Sequence, residues 1–182
     1  MEKKFQNKYR IASARAPWWD YGQDAAYFVT ICTKDRKHFF GDVVNGVMKL
    51  SHVGIIADLL WNEIKNHANH IGLDEYVVMP NHVHGILILN GNRVETTHAL
   101  SLPPVPEPPT KSRFQNQGKN TLSSIVGSYK SAVTRHAHRL GFEFEWQSRF
   151  HDHVIRNEEE YHRIANYISL NPKKWNEDKF NK

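Results

Sequence analysis

The chain has 182 residues, 40% of them hydrophobic, enough for one domain with a real core and too few for two. No window reaches the roughly 18 apolar residues of a membrane span. The charged start "MEKKFQNKYR" lacks a secretory apolar region, and a lone cysteine, Cys32, excludes an internal disulfide and suits a reducing, cytoplasmic setting. The net charge of +5 favours a polyanionic partner such as nucleic acid, although a basic solvated surface has the same composition. Basic residues recur beside aromatics in "FQNKYR", "SYKSAVTRHAHR", "WQSRFH" and "NPKKW". Cations touch phosphates while aromatic faces stack on unpaired bases, so this mixture suits single strands better than duplex.

In chain order, "AAYFVTICT" (25–33) is rich in β-branched and aromatic residues and predicts a buried strand, with Cys32 as a small core residue. "HFFGDVVNGVMKLS" (38–51) carries Asn45-Gly46 between apolar alternations, the preferred turn of a two-residue hairpin. Ser51 suits the N-cap of a helix "HVGIIADLLWNEIKNHA", in which Ile55, Leu59 and Ile64 recur near helical spacing. "LDEYVVMP" (73–80) and "NHVHGILIL" (81–89) read as an antiparallel pair reversing at Pro80-Asn81. Residues 91–119 are proline-rich, polar and without period, which predicts a long flexible loop.

"NTLSSIVGSYKSAVTRHAHRLG" (120–141) predicts an amphipathic helix opened by Ser or Thr and stopped at Gly141. "FEFEW" and "HDHVIR" are strand-like. Asn157 then suits an N-cap, with Glu160 at the capping-box position, and Pro172 ends the last helix at Asn171. Strand, helix, strand, strand, helix, strand is the ferredoxin-like order, an α+β fold whose antiparallel sheet carries helices on one face. The whole chain, 1–182, is expected to form a single domain.

His82 and His84 stand two apart on a strand, so both point the same way, roughly 6 to 7 Å apart. That spacing lets two imidazoles converge on one ion, and it also describes two half-buried histidines with no ligand. Gly85 beside them leaves room for a close approach. His151 and His153 form a rival pair; if both pairs held one ion, the chain would carry a four-histidine hydrolase site. On the last helix Tyr167 and Asn171 are four apart and share a face flanked by Ile164 and Ile168. An amide oxygen is a hard ligand, suited to Mg²⁺ or Mn²⁺. Tyr161 reads as a core residue, and Tyr129 is a rival nucleophile followed four residues on by Val133, which cannot ligate.

Two stretches, "DEYVVMPNHVHGILIL" and "EWQSRFHDHVIRNEEEYHRIANYISLNP", together resemble the REP-associated tyrosine transposases, members of the single-tyrosine HUH superfamily of transposases and relaxases. The resemblance covers most of the chain apart from the proline-rich loop. It implies the ferredoxin-like fold of HUH endonucleases, a divalent ion (Mg²⁺ or Mn²⁺) held by His82, His84 and Asn171, and Tyr167 as the nucleophile. It implies a metal-dependent endonuclease and strand transferase acting on single-stranded or hairpin DNA through a 5′-phosphotyrosine, in the cytoplasm at the nucleoid. His151 and His153 match no metal position of the family and fall to the sheet or to a DNA-facing role. Lys130, Arg135, Arg149, Lys173 and Lys174 are the candidates for phosphate contacts. Members act as monomers or as homodimers that exchange tyrosine helices. The competing reading is a DNA-binding protein of the same fold that has lost catalysis.

Overall fold

Period-two alternation of bulky apolar residues builds the sheet, and capped amphipathic segments build the helices that cover it. The computed structural model describes residues 24–68, 70–89 and 121–181; the proline-rich stretch 91–119 and the "FQNKYR" cluster lie outside them. The elements are β1 (Ala25–Cys32), β2 (Gly41–Val44), β3 (Val47–Leu50), α1 (His52–His67), β4 (Ile71–Met79), β5 (His82–Leu89), α2 (Leu122–Arg139), β6 (His151–Ile155) and α3 (Glu158–Leu170). A short 3₁₀ turn, Pro172–Glu177, follows α3. The main sheet is antiparallel with strand order β4-β5-β1-β6, which is the ferredoxin-like arrangement.

Local chemistry sets the boundaries. Asn45 and Gly46 take φ of 52° and 74°, the left-handed pair that a two-residue hairpin turn requires between β2 and β3. The Ser51 side chain accepts from the Gly54 amide and starts α1. Thr121 and Ser124 cap α2 reciprocally, and Gly141, at φ 82°, turns the chain just after it. Asn157 accepts from the Glu160 amide to start α3, while the Glu160 carboxylate reaches the Arg156 amide rather than that of Asn157 itself.

The sheet has two differently used faces. Tyr27, Val29 and Ile31 of β1 and Val83, Leu87 and Leu89 of β5 pack with Trp61 of α1 and Val126, Tyr129 and Val133 of α2. The opposite face carries α3, whose Ile164 and Ile168 bury Ala26, Ile86, Ile88 and Ile155. The crossover helices α1 and α2 thus share one face as expected, and the third helix takes the other.

Beside the unformed capping box at Glu160, three expectations need correction. The buried side of α1 is Val53, Ala57, Trp61 and Ile64, whereas Ile55 and Leu59 are exposed. "FEFEW" forms no strand; Phe144 plugs the core between exposed Glu143 and Glu145, and pairing is limited to a bridge from Trp146 to Thr33. Tyr161 is half-buried on the α3 face, and its hydroxyl donates to the Asp74 carboxylate.

Candidate active site

The register of β5 against β1 assembles the site. His84 stands opposite Thr30 and His82 opposite Cys32, all on the α3 face. The two imidazoles are buried, with centroids 4.3 Å apart. His82 Nδ1 meets Asn81 Oδ1 at 2.8 Å. The Asn81 amide nitrogen donates to the main-chain oxygens of Arg36 (3.2 Å) and Phe180 (2.7 Å), which fixes its oxygen as the acceptor for His82. The proton of His82 therefore sits on Nδ1. Its Nε2 keeps a lone pair, and that atom is buried without a hydrogen-bond partner. His84 Nδ1 is held by Thr30 Oγ1 at 2.9 Å, leaving its Nε2 directed at Tyr167, whose hydroxyl is 3.3 Å away.

The tyrosine helix arrives because Ile164 and Ile168 anchor α3 on the sheet. Tyr167 itself is 40% exposed, so its ring bridges the histidines and solvent. One turn on, Asn171 is buried; its amide nitrogen donates to Asp178 Oδ2 at 3.0 Å, and its Oδ1 is a second buried acceptor with no partner. Phe180 lies over the pair, 4.5 Å from the His82 ring and 5.8 Å from that of His84.

Electrostatics follow from burial. Desolvation, assisted by the charges of Arg36 and Lys179, lowers the His82 pKa to about 3. Desolvation and then His82 hold His84 well below the usual histidine value. Both rings are thus neutral and ready to donate lone pairs at neutral pH. Burial first, then the Asp178 carboxylate, push the Tyr167 phenol up to about 12.

Among the described residues no three His, Cys, Asp or Glu side chains gather as a metal site. The donor set of His82, His84 and Asn171 is of another kind, two imidazole nitrogens and an amide oxygen. Two orphaned buried acceptors, with the His82 tautomer fixed from behind by Asn81, fit a divalent cation. His151 and His153 do not complete a four-histidine cluster. They share the sheet face but lie on β6, with β1 between them and β5, and His153 is engaged by Glu160 at 2.8 Å. Tyr129 is far from this chemistry, buried on the α1/α2 face with its hydroxyl bonded to the Ala57 carbonyl at 3.0 Å.

A cleft of about 690 Å³ opens in front of His84 and Tyr167 and takes in Arg36, Arg149, His151 and Lys179. Arg149 therefore shares the cleft with His84 and Tyr167, and Lys174 lines a second hollow that Tyr167 also borders. Lys173 packs near the β2–β3 turn at Gly46. Lys130 is committed elsewhere: its ammonium binds the carbonyls of Gln147 (2.6 Å) and Ser148 (3.3 Å), holding the segment that presents Arg149. Arg135 lines a groove between α1 and α2 on the opposite face. Sequence reasoning missed Thr30, Asn81, Arg36, Asp178 and Phe180. Register pairing could have found Thr30, but nothing local marks the last two, which reach the site through the chain's final turn.

No protein-family model matches the chain. It is 33% identical over 168 residues to an uncharacterized protein of Haemophilus influenzae, covering 91% of this chain and 90% of that one. Its structure is similar to that of a REP-associated tyrosine transposase solved bound to a REP hairpin, with a TM-score of 0.57 and 20% identity, over 91% of this chain and 74% of that one. No helix among the described residues is long and apolar enough to cross a membrane. The chain belongs to one family with the Haemophilus influenzae protein, and its fold is that of the REP-associated tyrosine transposase.

Proposed function

We propose that the chain is a tyrosine HUH transposase: a metal-dependent single-stranded DNA endonuclease and strand transferase that acts at hairpin-forming repeats. The observation that carries this reading is the Tyr167 hydroxyl 3.3 Å from His84 Nε2, in a chain whose His82 Nε2 and Asn171 Oδ1 are buried without a partner. His82, His84 and Asn171 would hold Mg²⁺ or Mn²⁺, which when bound withdraws charge from a scissile phosphate. Thr30 and Asn81 keep the two Nε2 atoms aimed inward. Arg36 and Arg149 line the approach and offer guanidinium charge to the backbone of the strand.

Tyr167 acts as nucleophile. Its oxygen bonds to phosphorus, the bond from phosphorus to the 3′ oxygen breaks, and the proton lost by the phenol is balanced by one taken up from solvent by the departing 3′ oxygen. A 5′-phosphotyrosine and a free 3′-OH result. A second 3′-OH attacking the phosphotyrosine restores the phosphodiester and the phenol, so strands can be exchanged without ATP. A phenol held up at about 12 needs this electrostatic help to react at neutral pH. Duplex geometry hides the scissile bond, which favours single-stranded or hairpin substrates. The residues invoked all lie on one chain, so the scheme needs no second copy.

The test is incubation with hairpin-tailed single-stranded DNA and Mg²⁺ or Mn²⁺, followed by a denaturing gel. A covalent protein–DNA band lost in Tyr167→Phe and kept in Tyr129→Phe is the expected result. A band that survives Tyr167→Phe rejects Tyr167 as nucleophile. The second reading, a DNA-binding protein of this fold that no longer cleaves, draws on Phe180, which covers the imidazole pair where a phosphate would enter. Gel-shift binding with no covalent band under any metal supports it.

A further inference from the structure

Asp178 belongs to no element of the sheet or the helices, yet its carboxylate makes three contacts at the heart of the site. Oδ2 accepts from Asn171 Nδ2 at 3.0 Å and stands 3.5 Å from the Tyr167 hydroxyl; Oδ1 accepts from the Phe180 amide at 2.7 Å. Asn171 is 2% exposed, so its amide has no water-filled surroundings in which to turn freely. An ionised carboxylate can only accept hydrogen bonds. The side of the Asn171 amide that meets Asp178 must therefore be its NH₂, and its oxygen must point away, into the place where it has no partner. A side-chain amide carries a donor and an acceptor of nearly equal shape, and without such a clamp either could be left free for a ligand. A free NH₂ would repel a cation, whereas a free oxygen binds one.

We infer that Asp178 is a positioning residue that takes the NH₂ of the Asn171 amide and so leaves Oδ1 as the free group, which makes Asn171 a cation ligand. The inference rests on the metal site proposed above. Asp178 acts through Asn171 and does not itself ligate. The arrangement parallels the way Thr30 and Asn81 hold the two imidazoles, so each of the three proposed ligands has its own fixing partner. An asparagine at position 178 could not substitute fully. It has a single oxygen, and two donors, Phe180 N and Asn171 Nδ2, converge there.

The test is Mn²⁺ binding to the full chain without DNA, read by electron paramagnetic resonance or calorimetry, with thermal melting as the check on folding. Wild type is measured first, and absence of binding there rejects the metal site itself. Given wild-type binding, Asp178→Ala is expected to weaken it about 10- to 100-fold. The double variant Asp178→Ala/Asn171→Ala is expected to bind no more weakly than Asn171→Ala alone, because Asp178 has nothing left to position. Additive losses would mean that the carboxylate ligates directly or acts through the tail, and would overturn the inference; so would unchanged affinity in Asp178→Ala. A metal-free readout stands beside these. The Asn171 side-chain NH₂ resonances are expected to move in Asp178→Ala, and their constancy also counts against the clamp.

Discussion

The hydroxyl of Tyr167 and Nε2 of His84 lie 3.3 Å apart, within hydrogen-bond reach of each other. On the proposed metal site, phenol and cation would compete for the same nitrogen. Tyr167→Phe is expected to lose all covalent DNA product while binding Mn²⁺ as tightly as wild type or up to about fivefold tighter, the worth of one neutral hydrogen bond of about 1 kcal/mol. Calorimetric titration checks this; a large loss of Mn²⁺ affinity in Tyr167→Phe would make the phenol a ligand.

Cation binding should register as stability. A ligand at a hundredfold excess over its Kd, bound only by the folded chain, stabilises it by about 2.7 kcal/mol. Melting with Mn²⁺ or Mg²⁺ is expected to rise accordingly and to return to the starting value with a chelator. His82→Ala should abolish the rise. Thr30→Val, which removes the hydroxyl held against His84 Nδ1, should weaken the metal about 10- to 100-fold.

Gly85 is fixed by its neighbour across the sheet. A Cβ there would lie 2.2 Å from the ring of Trp61, so the room the sequence leaves beside the histidines is filled by an indole on the core side. Gly85→Ala should destabilise by about 1 to 3 kcal/mol through overpacking. Urea unfolding of Gly85→Ala in a Trp61→Leu background offers the complementary check, since the smaller side chain should relieve part of that cost.

Charge on the two faces should have different effects. Arg149 lines the cleft beside His84, and Arg135 lies on the α1/α2 face. Arg149→Ala is expected to weaken single-stranded DNA binding and to reduce the slope of log affinity against log salt by about 0.7, the value for one phosphate contact on a single strand. Arg135→Ala should leave cleavage of a short single strand unchanged. Equal effects from both would point to a diffuse basic surface.

A pH dependence arises at the start of the tyrosine helix. Partial burial pulls the Glu160 carboxyl up, but the Arg156 amide and the contact with His153 outweigh it and hold the group below its usual range. A carboxyl depressed in the folded state stabilises above its unfolded pKa of about 4.3, and that contribution is lost as pH falls through the folded value. Glu160→Gln should cost about 1 kcal/mol at pH 7 and flatten the acid limb of the stability curve. Urea midpoints between pH 7 and pH 3 test it.

Much of the fold was legible because the signals are local. Ser51, Asn45-Gly46, Gly141 and Asn157 do in the structure what their chemistry predicts. The face of α1 is not legible because Ile55 and Leu59 are as apolar as the residues that are buried, and long-range fits, Trp61 against Gly85 and Gly54 against the Phe40 carbonyl, set the rotation of the helix. "FEFEW" imitates a strand because Phe144 is buried between two exposed glutamates, a pattern that an extended segment produces without pairing. The pairing of Tyr167 with His84 came from the motif resemblance, as no local rule brings residue 167 to residue 84. Asp178 and Phe180 were illegible for the same reason, since their roles exist only after the final turn folds back.

The alternation of β5 has a consequence for how such a chain can change. Its even-numbered start holds the imidazoles, and its odd-numbered residues fill the hydrophobic interior behind them. Substitutions on one side of the ribbon are thus insulated from the other by the width of a backbone. A descendant could shed its chemistry through His82 or His84 and keep its architecture, or drift in its interior while the reactive groups persist.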